Sequence, residues 1–536
     1  MMIGSWTWRS GAAVAALMTS AAVIAQSADT ARIIDEGMNR SQVMVTASEL
    51  VDGIGGRLTN STSMRRAEEW ALAEMQSLGL ANVRREGFEF GRGWDLIDGE
   101  VRMVAPRPIK LTAIPVAWTP GTNGVLRAPV VVAPISERRH FDAYRGKLAG
   151  KIVMISLPGE GSEPTEPMFE RYDGAALAKL DEYRQPSFHP EALNQRIERS
   201  KFALDLDAFL AAESAVGWAR MAYRDGKLVH GAGYTHRVGA TPKLPGIEIA
   251  AEDYRRLARL AKTQAPVIEV NANTRFVDSD TKAYNIIGEI AGSDPKAGYV
   301  MAGAHFDSWV AGDGAVDNGA GSVVVLEAAR ILRQLGVRPK RTIRFALWGA
   351  EEQGLLGSQA YIDRHIATRP IPAGTPADEV IARWRDAFPI QPRPGYGQLK
   401  AYFNMDNGSG KLRGVHAEGN AGAVPLLKEW MGPFASMGAT AVVAAPTGGT
   451  DHVFMQSVGV PGFQFVQDPL DYGARLHHSS IDTFDHLKAA DLRQASVVMA
   501  GMLLAAANSD KELPRPPLPT QPLPTDPFKY DYPKDR

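Results

Sequence analysis

Five side chains of the types that bind zinc are spread through the second half of this 536-residue chain. Two are imidazoles and three are carboxylates: His305, Asp317, Glu352, Asp406 and His478. Zinc takes nitrogen and oxygen ligands, and a catalytic zinc keeps one position open for water. If one carboxylate is shared, this set suffices for two adjacent ions, which turn water into a nucleophile at neutral pH. The residue types therefore predict a hydrolase that uses two Zn2+ ions.

The first of these residues, His305, stands near the end of a predicted strand, Tyr299 to Asp307. Side chains two residues apart on a strand face the same side, so Asp307 is expected beside His305. A metal-bound histidine usually donates its second ring N–H to a carboxylate, and we assign this orienting role to Asp307. Open α/β sheets also place their ligands beyond the ends of their strands.

Asp317 lies in a glycine-crowded loop, Gly312 to Gly321, which opens a predicted helix. Glycine allows the backbone to pass close to a buried ion, and we expect Asp317 to be the carboxylate that bridges both metals. A phosphate-binding loop is the competing interpretation. No lysine follows at the spacing that such a loop requires, which argues against it.

Glu351 and Glu352 follow another predicted strand, Thr342 to Trp348. Adjacent acids tend to point in different directions, and carboxylates in different environments can take different protonation roles. We therefore assign Glu352 to the metal. Glu351 is the predicted general base, which takes the proton of the water and later delivers one to the leaving amine.

The remaining two candidate ligands, Asp406 and His478, also lie at a strand end or in a loop. Asp406 ends the predicted strand Leu399 to Asp406, whereas His478 lies in a late loop beside His477. The chemistry alone does not choose between these two histidines. The chain has no His-Glu-x-x-His and no Gly-x-Ser-x-Gly, so a zincin metalloprotease and a serine hydrolase have no support.

The charge balance and the cysteine count exclude several partners and kinds of site. Lys and Arg number 59 and Asp and Glu 60, so the net charge of -1 gives no electrostatic reason to bind nucleic acid or an anionic membrane. The chain has no cysteine, which excludes thiol nucleophiles, thiolate metal sites and disulfides. Its length predicts two or three domains.

The N-terminus reads as a cleaved secretory signal. Arg9 supplies the positive charge, Gly11 to Ala25 is a short apolar run, and Val23 and Ala25 are small residues at the cleavage positions. An uncleaved anchor is the alternative, but the run is too short for a permanent span. We expect a periplasmic or secreted protein.

The pattern of apolar residues predicts the helices and strands that position the candidate site. Residues from about Asp29 to Phe90 read as helices and then a strand, and Trp118 to Asp278 reads as a small β-rich insert with a polar excursion at Gly159 to Arg199. Beyond Ala283, strands alternate with helices, which predicts an α/β domain with a largely parallel central sheet. The predicted strands are 284–290, 299–307, 342–348, 399–406 and 460–466, and the predicted helices are 322–335 and 489–508.

Four motifs, in order, resemble the family of cocatalytic zinc exopeptidases, which includes bacterial leucyl aminopeptidases and plasma glutamate carboxypeptidase. They are the N-terminal Gly55 to Thr59, His305 to Gly321, the segment Trp348 to Ser358, and His478 to Thr483. The resemblance implies a three-layer zinc-peptidase domain with a protease-associated insert. It implies the domain limits 1–25 (signal peptide), 26–117 with 279–510 (peptidase domain), 118–278 (insert) and 511–536 (Pro-rich tail).

Carried over residue by residue, the resemblance implies one zinc on His305, Asp317 and Asp406 and the other on Asp317, Glu352 and His478. It favours His478 over His477 by the spacing to Asp482. Some relatives have a tyrosine just before the ligand histidine, where this chain has His477. The resemblance also allows a homodimer, which a single sequence leaves open.

The sequence thus predicts a zinc-dependent exopeptidase, an aminopeptidase or a dipeptidase, that acts on peptides. A carboxypeptidase or related amidohydrolase with the same centre is the main alternative. A non-catalytic relative would have lost ligands, and none is lost here. A single-zinc cyclase is also compatible with the fold, although His305 and Asp406 together indicate a second metal.

Overall fold

A computed structural model describes residues 28–520 apart from 162, 164, 166, 183–191, 234–237, 377–378 and 385–386. The predicted signal at residues 1–25 and the end of the predicted tail, residues 521–536, lie outside this described part. Residues 511–520 run without helix or strand.

The described residues form strands β1 to β18 and helices α1 to α12. The strands are Ala81–Glu89, Gly93–Ala105, Ile109–Leu111, Ala113–Pro115, Leu126–Val132, Ile152–Met154, Gly217–Met221, Gly246–Ile249, Val267–Val277, Lys282–Ile290, Tyr299–His305, Thr342–Trp348, Ala367–Thr368, Gln391–Pro392, Leu399–Asn404, Leu412–His416, Ala441–Val443 and Gly462–Gln467. The helices are 28–39, Val43–Val51, Thr62–Ser77, Gly174–Lys179, Ala192–Ala212, Ala251–Leu260, Ala320–Gln334, Leu356–His365, Val380–Trp384, Val424–Met431, His452–Ser457 and Ala489–Asn508. Short 3-10 or π turns lie at Arg138–Tyr144, Ala315–Gly319, Ala421–Ala423, Gly432–Met437, Tyr472–Leu476 and Phe484–His486.

The first of two large sheets has eight strands in the order β1-β10-β12-β11-β15-β18-β16-β17. Its central strands β12, β11, β15 and β18 are mutually parallel, while β1, β10 and β16 pair antiparallel with their inner neighbours. Every residue of β11 is buried, as expected for a strand covered by helices on both faces. The prediction of an α/β fold with a largely parallel central sheet is confirmed.

Helices cover both faces of this sheet. One apolar core includes residues of α2, α3, α7, α10 and α12, and a second core on the opposite face includes residues of α8, α9 and α11. Helix α12 is long and apolar enough to cross a membrane, but 78% of the apolar window is buried in the protein. Its apolar surface is therefore used by the core.

A second eight-stranded sheet has the order β3-β2-β9-β5-β6-β7-β8-β4. It contains Gly93–Ala105, which pairs antiparallel with Val267–Val277, so it begins ahead of residue 118, where we had placed the start of the insert. The two strands are distant in sequence, and the limits 118–278 of the insert stay a prediction. The polar excursion contains the helix Gly174–Lys179 and the beginning of the helix Ala192–Ala212.

Candidate metal centre

The sheet places the predicted ligands at one edge. Strands β12, β11, β15 and β18 are adjacent and run in the same direction. His305 ends β11, Glu352 and Asp406 follow β12 and β15 closely, and the loop of His478 follows β18. Parallel strands present their carboxyl ends at the same edge, where open α/β sheets bind ligands.

One half of the centre consists of His305, Asp317 and Asp406. The Nε2 atom of His305 lies 3.2 Å from Oδ1 of Asp317 and 3.4 Å from Oδ1 of Asp406. All three residues are buried, and their ligand atoms lie within 4.8 Å of one another. This spacing suits one cation held by a nitrogen and two oxygens.

The other half uses the second oxygen of the same aspartate. The Nε2 atom of His478 lies 3.3 Å from Oδ2 of Asp317 and 2.9 Å from Oε2 of Glu352. Asp317 Oδ2 and Glu352 Oε1 are buried and have no hydrogen-bond partner. Because buried polar atoms are normally paired, these two orphaned oxygens fit a cation between them.

His305 is oriented by a hydrogen bond different from the predicted one. Its Nδ1 atom lies 3.0 Å from the main-chain oxygen of Asp307 but 3.8 Å from the Asp307 carboxylate. Donation from Nδ1 leaves the Nε2 lone pair free for a metal. The expectation that the carboxylate of Asp307 accepts this proton is therefore wrong: the backbone of the same residue does so.

The Asp307 carboxylate instead holds the segment of the two glutamates. It accepts hydrogen bonds from the main-chain N–H of Glu351 at 3.0 Å and of Glu352 at 3.3 Å, and from the hydroxyl of Thr59 at 3.0 Å. Asp307 is completely buried. It therefore links the strand of His305 to the turn that carries the predicted base.

The pKa values of Glu351 and Glu352 are strongly raised. Burial raises the pKa of Glu351 well above its usual range, and burial together with nearby Asp317 does the same for Glu352. Such a concentration of buried carboxylates is costly without a compensating positive charge. A pair of divalent cations would supply that charge.

His477 is the histidine that the chemistry alone did not exclude. Its Nε2 atom is 3.8 Å from Oδ2 of Asp317, farther than that of His478, and its ring stacks on the ring of His478 with 3.6 Å between centroids. Burial lowers the pKa of His477 to about 4. The geometry accordingly favours His478 as the ligand and places a neutral imidazole beside it.

Two further residues position the loop of Asp317, and our sequence reasoning had given neither of them a role in the site. Asp482 accepts hydrogen bonds from the main-chain N–H of Val316 at 2.6 Å and of Asp317 at 3.1 Å. Arg57, which is completely buried, donates to the main-chain oxygens of Asp313 and Gly314. The available sequence signal was that Arg57 lies in the motif Gly55 to Thr59 and Asp482 in the motif His478 to Thr483.

A cavity of about 750 Å3 is lined by residues that neighbour the candidate ligands in sequence. Asn407, next to the ligand Asp406, lines it, and so does Tyr472, whose ring contacts His477 edge-on at 5.0 Å. The other walls come from β18, the segment 444–447 and the excursion of the second sheet's domain: Tyr172, Leu180, Asp181, Glu182, His416, Ala444, Ala445, Pro446, Thr447, Phe465, Val466, Gln467, Pro469 and Gly473. Among these lining residues of the described chain there is no lysine or arginine.

The chain is similar to known peptidases. Residues 285–503 match the family described as Peptidase family M28. Carboxypeptidase Q of Mus musculus is 28% identical over 474 residues, which cover 87% of this chain and 86% of that protein. The crystal structure of a peptidase M28 precursor from Shewanella amazonensis is 25% identical, with a TM-score of 0.65, and covers 92% of this chain and 99% of its own.

A zinc aminopeptidase from Bacillus subtilis has the same fold, with a TM-score of 0.55 at 19% identity over 87% of this chain and 95% of its own. The matched segment 285–503 contains all the predicted metal ligands and the predicted base. Over residues 285–503 the chain thus matches peptidase family M28.

Proposed function

We propose that this protein is a zinc-dependent exopeptidase, an aminopeptidase or dipeptidase, with two ions at the centre described above. The observation that carries the proposal is the placement of Asp317. Its two oxygens face two different histidines, 3.2 Å from His305 and 3.3 Å from His478. A carboxylate in this position is suited to bridge two cations, with Asp406 and Glu352 as the outer ligands.

Zinc bound at these ligands supplies a Lewis acid that polarises the scissile carbonyl and lowers the pKa of a water. The chain supplies the proton transfers. Glu351 is buried beside His305 and Asp406, and we assign it the removal of the water proton and its delivery to the leaving amine. A positioned acid–base group of this kind contributes about 10²–10⁴-fold to the rate. Asp307 fixes the backbone of Glu351 during both transfers.

The cavity of about 750 Å3 supports a peptide side chain as the group that is recognised. Tyr172, Phe465 and Tyr472 line it, and so do the acidic residues Asp181 and Glu182. Without a cation among its described lining residues, the cavity favours neutral or basic side chains over acidic ones. This feature argues against a preference for glutamate at this position.

A carboxypeptidase is the second candidate, favoured by the similarity to carboxypeptidase Q over 87% of the chain. A panel of dipeptides with free ends, an acetylated N-terminus or an amidated C-terminus separates the candidates. Hydrolysis that requires only the free amine indicates an aminopeptidase, and hydrolysis that requires only the free carboxylate indicates a carboxypeptidase. A requirement for both indicates a dipeptidase.

The test of the mechanism is Glu351→Gln, which keeps the shape of the side chain and removes its basicity. We expect zinc content and melting temperature to be retained while kcat falls by about 10²–10⁴-fold. Glu69→Gln, on an exposed helix position, is the matched control and should leave kcat unchanged. Undiminished hydrolysis by the Glu351 variant would remove the assignment of the base.

We also propose that residues 1–25 direct export to the periplasm or the medium and are then cleaved, and that the second sheet belongs to a protease-associated-like insert. The apolar run of Gly11 to Ala25 supports the first part. The mass of the exported protein tests it, since cleavage after Ala25 predicts a chain that begins at Gln26.

A further inference from the structure

The second sheet's domain contacts the loop that carries His477 and His478. Arg224, which follows β7, donates from its guanidinium to the main-chain oxygen of His477 at 2.5 Å and to that of Gly473 at 3.0 Å. Gly473 lies near the start of the short turn Tyr472–Leu476, and His477 directly follows the turn. One planar side chain therefore links the start of this turn to the residue that follows it, directly before His478.

A second contact follows directly. The main-chain N–H of Ser480 donates to the main-chain oxygen of Val229 at 2.8 Å, and the hydroxyl of Ser480 lies 3.4 Å from the N–H of Val229. The ligand His478 thus lies between two points, His477 and Ser480, at which the loop is attached to the other domain. Both attachments use main-chain groups of the loop.

The attachment points on the second sheet's domain are themselves firmly held. Tyr223 stacks on the completely buried His230 with 3.9 Å between ring centroids. Glu248 accepts a hydrogen bond from the main-chain N–H of His230 at 2.6 Å and is paired with Arg220 at 2.6 Å. Buried hydrogen-bonded networks of this kind rigidify the backbone that they connect.

His478 needs this support because of its backbone conformation. Its φ is +61°, in the left-handed region that non-glycine residues adopt only when the surrounding structure imposes it. The same residue must direct Nε2 toward Asp317 and Glu352. A loop free to relax would carry the imidazole away from these oxygens.

We propose that Arg224 is a positioning residue for the metal ligand His478: by binding the carbonyl groups of Gly473 and His477, it holds the His478 imidazole toward Asp317 and Glu352. This inference rests on the proposed zinc site. It gives the second sheet's domain a part in metal binding, in addition to its contribution to the wall of the cavity.

Arg224→Met tests the proposal, since methionine retains an unbranched side chain without the two donors. Zinc affinity is measured on the purified full chain by competition with a chromogenic chelator in the absence of substrate. We expect the binding of one ion to weaken by about 10–100-fold, the range seen when groups that orient a metal ligand are removed. The other ion and the melting temperature of the metal-free protein should change little, because Arg224 is partly exposed.

Arg127→Met is the matched control: this arginine lies on β5 of the same sheet, is 65% exposed and contacts only Glu269 among the ion pairs of the described chain. It should bind both ions as the wild type does. Arg224→Lys, which keeps one charged donor, should bind zinc with an affinity between those of the wild type and Arg224→Met. If Arg224→Met does not fold, Arg224→Gln takes its place, because its amide is too short to reach both carbonyl groups.

Zinc affinities of the Arg224 variant within twofold of the wild type would overturn the proposal, and so would equal weakening in the Arg127 control. The proposed function fails separately, if the wild type itself binds no zinc or hydrolyses no peptide. A wild type that binds zinc and cleaves peptides, together with an Arg224 variant that binds zinc equally well, would refute only the role of Arg224.

Discussion

Replacement of the buried Arg57 by methionine should destabilise the segments that surround the candidate metal centre. The guanidinium of Arg57 donates to four main-chain oxygens: those of Phe306 at 2.8 Å, Gly55 at 2.9 Å, Asp313 at 2.9 Å and Gly314 at 2.7 Å. It thereby ties the N-terminal segment to the end of β11 and to the loop that leads into Asp317. Burial lowers the pKa of Arg57 to about 10, so the side chain stays charged at neutral pH.

The magnitude follows from these four bonds. A hydrogen bond to a charged group contributes about 1.5–3 kcal/mol, so four give roughly 6–12 kcal/mol before the cost of burying the charge. That cost is several kcal/mol for one ion. We therefore expect Arg57→Met to lower the free energy of unfolding by about 3–5 kcal/mol, a large effect for a single substitution.

Urea denaturation of the metal-free protein, followed by circular dichroism, measures this loss in the transition of the peptidase domain. Arg333→Met is the matched control, because Arg333 also donates to one main-chain oxygen, that of Leu78 at 3.3 Å, but is exposed. Its loss should stay within about 0.5 kcal/mol. A change below about 1 kcal/mol for Arg57→Met would refute the reasoning that these four bonds hold the centre together.

Three further predictions address the metal, the pH dependence and the cavity. Chelation should abolish hydrolysis and lower the melting temperature, and added zinc at 1,000 times its Kd should restore about 4 kcal/mol of stability; activity that survives complete metal removal would contradict the assignment. Burial opposes ionisation of Glu86, but the hydrogen bond from His365 and the charge of Arg84 hold its pKa at about 2. Because the folded pKa is below the unfolded value of 4.5, the stabilisation of about 3 kcal/mol is complete above pH 4.5 and is lost as the pH falls toward 2. The difference in unfolding free energy between metal-free wild type and Glu86→Gln should shrink over that range, and a constant difference would disprove the linkage. Finally, Ala445→Trp should raise KM for peptides with large side chains more than for those with small ones, measured by steady-state kinetics; equal KM changes would separate this cavity from the substrate site.

Much of the fold could be predicted because its central strands are continuous apolar runs. Thr342–Trp348 and the helix Ala489–Asn508 have the limits that the sequence indicated, and β11 ends two residues before the predicted Asp307. The start of the second sheet could not be predicted, since Gly93–Ala105 joins it through pairing with Val267–Val277. Nothing local in either segment specifies that partner.

The positions of the five candidate ligands after strand ends likewise followed from the sequence, and the structure brings these five side chains close together. The sharing of Asp317 was expected too, but which of its two oxygens faces His305 and which faces His478 depends on side-chain directions set by the loops. The same holds for Asp307, whose main-chain oxygen rather than its carboxylate orients His305. The contacts of Arg57 and Arg224 join segments far apart in sequence, so only coordinates reveal them.

The most direct test of a two-zinc centre is anomalous diffraction at the zinc edge from crystals grown with zinc. Two peaks are predicted, one among His305, Asp317 and Asp406 and the other among Asp317, Glu352 and His478, with Asp317 common to both. A single peak, or zinc bound only elsewhere on the protein, would contradict the central claim.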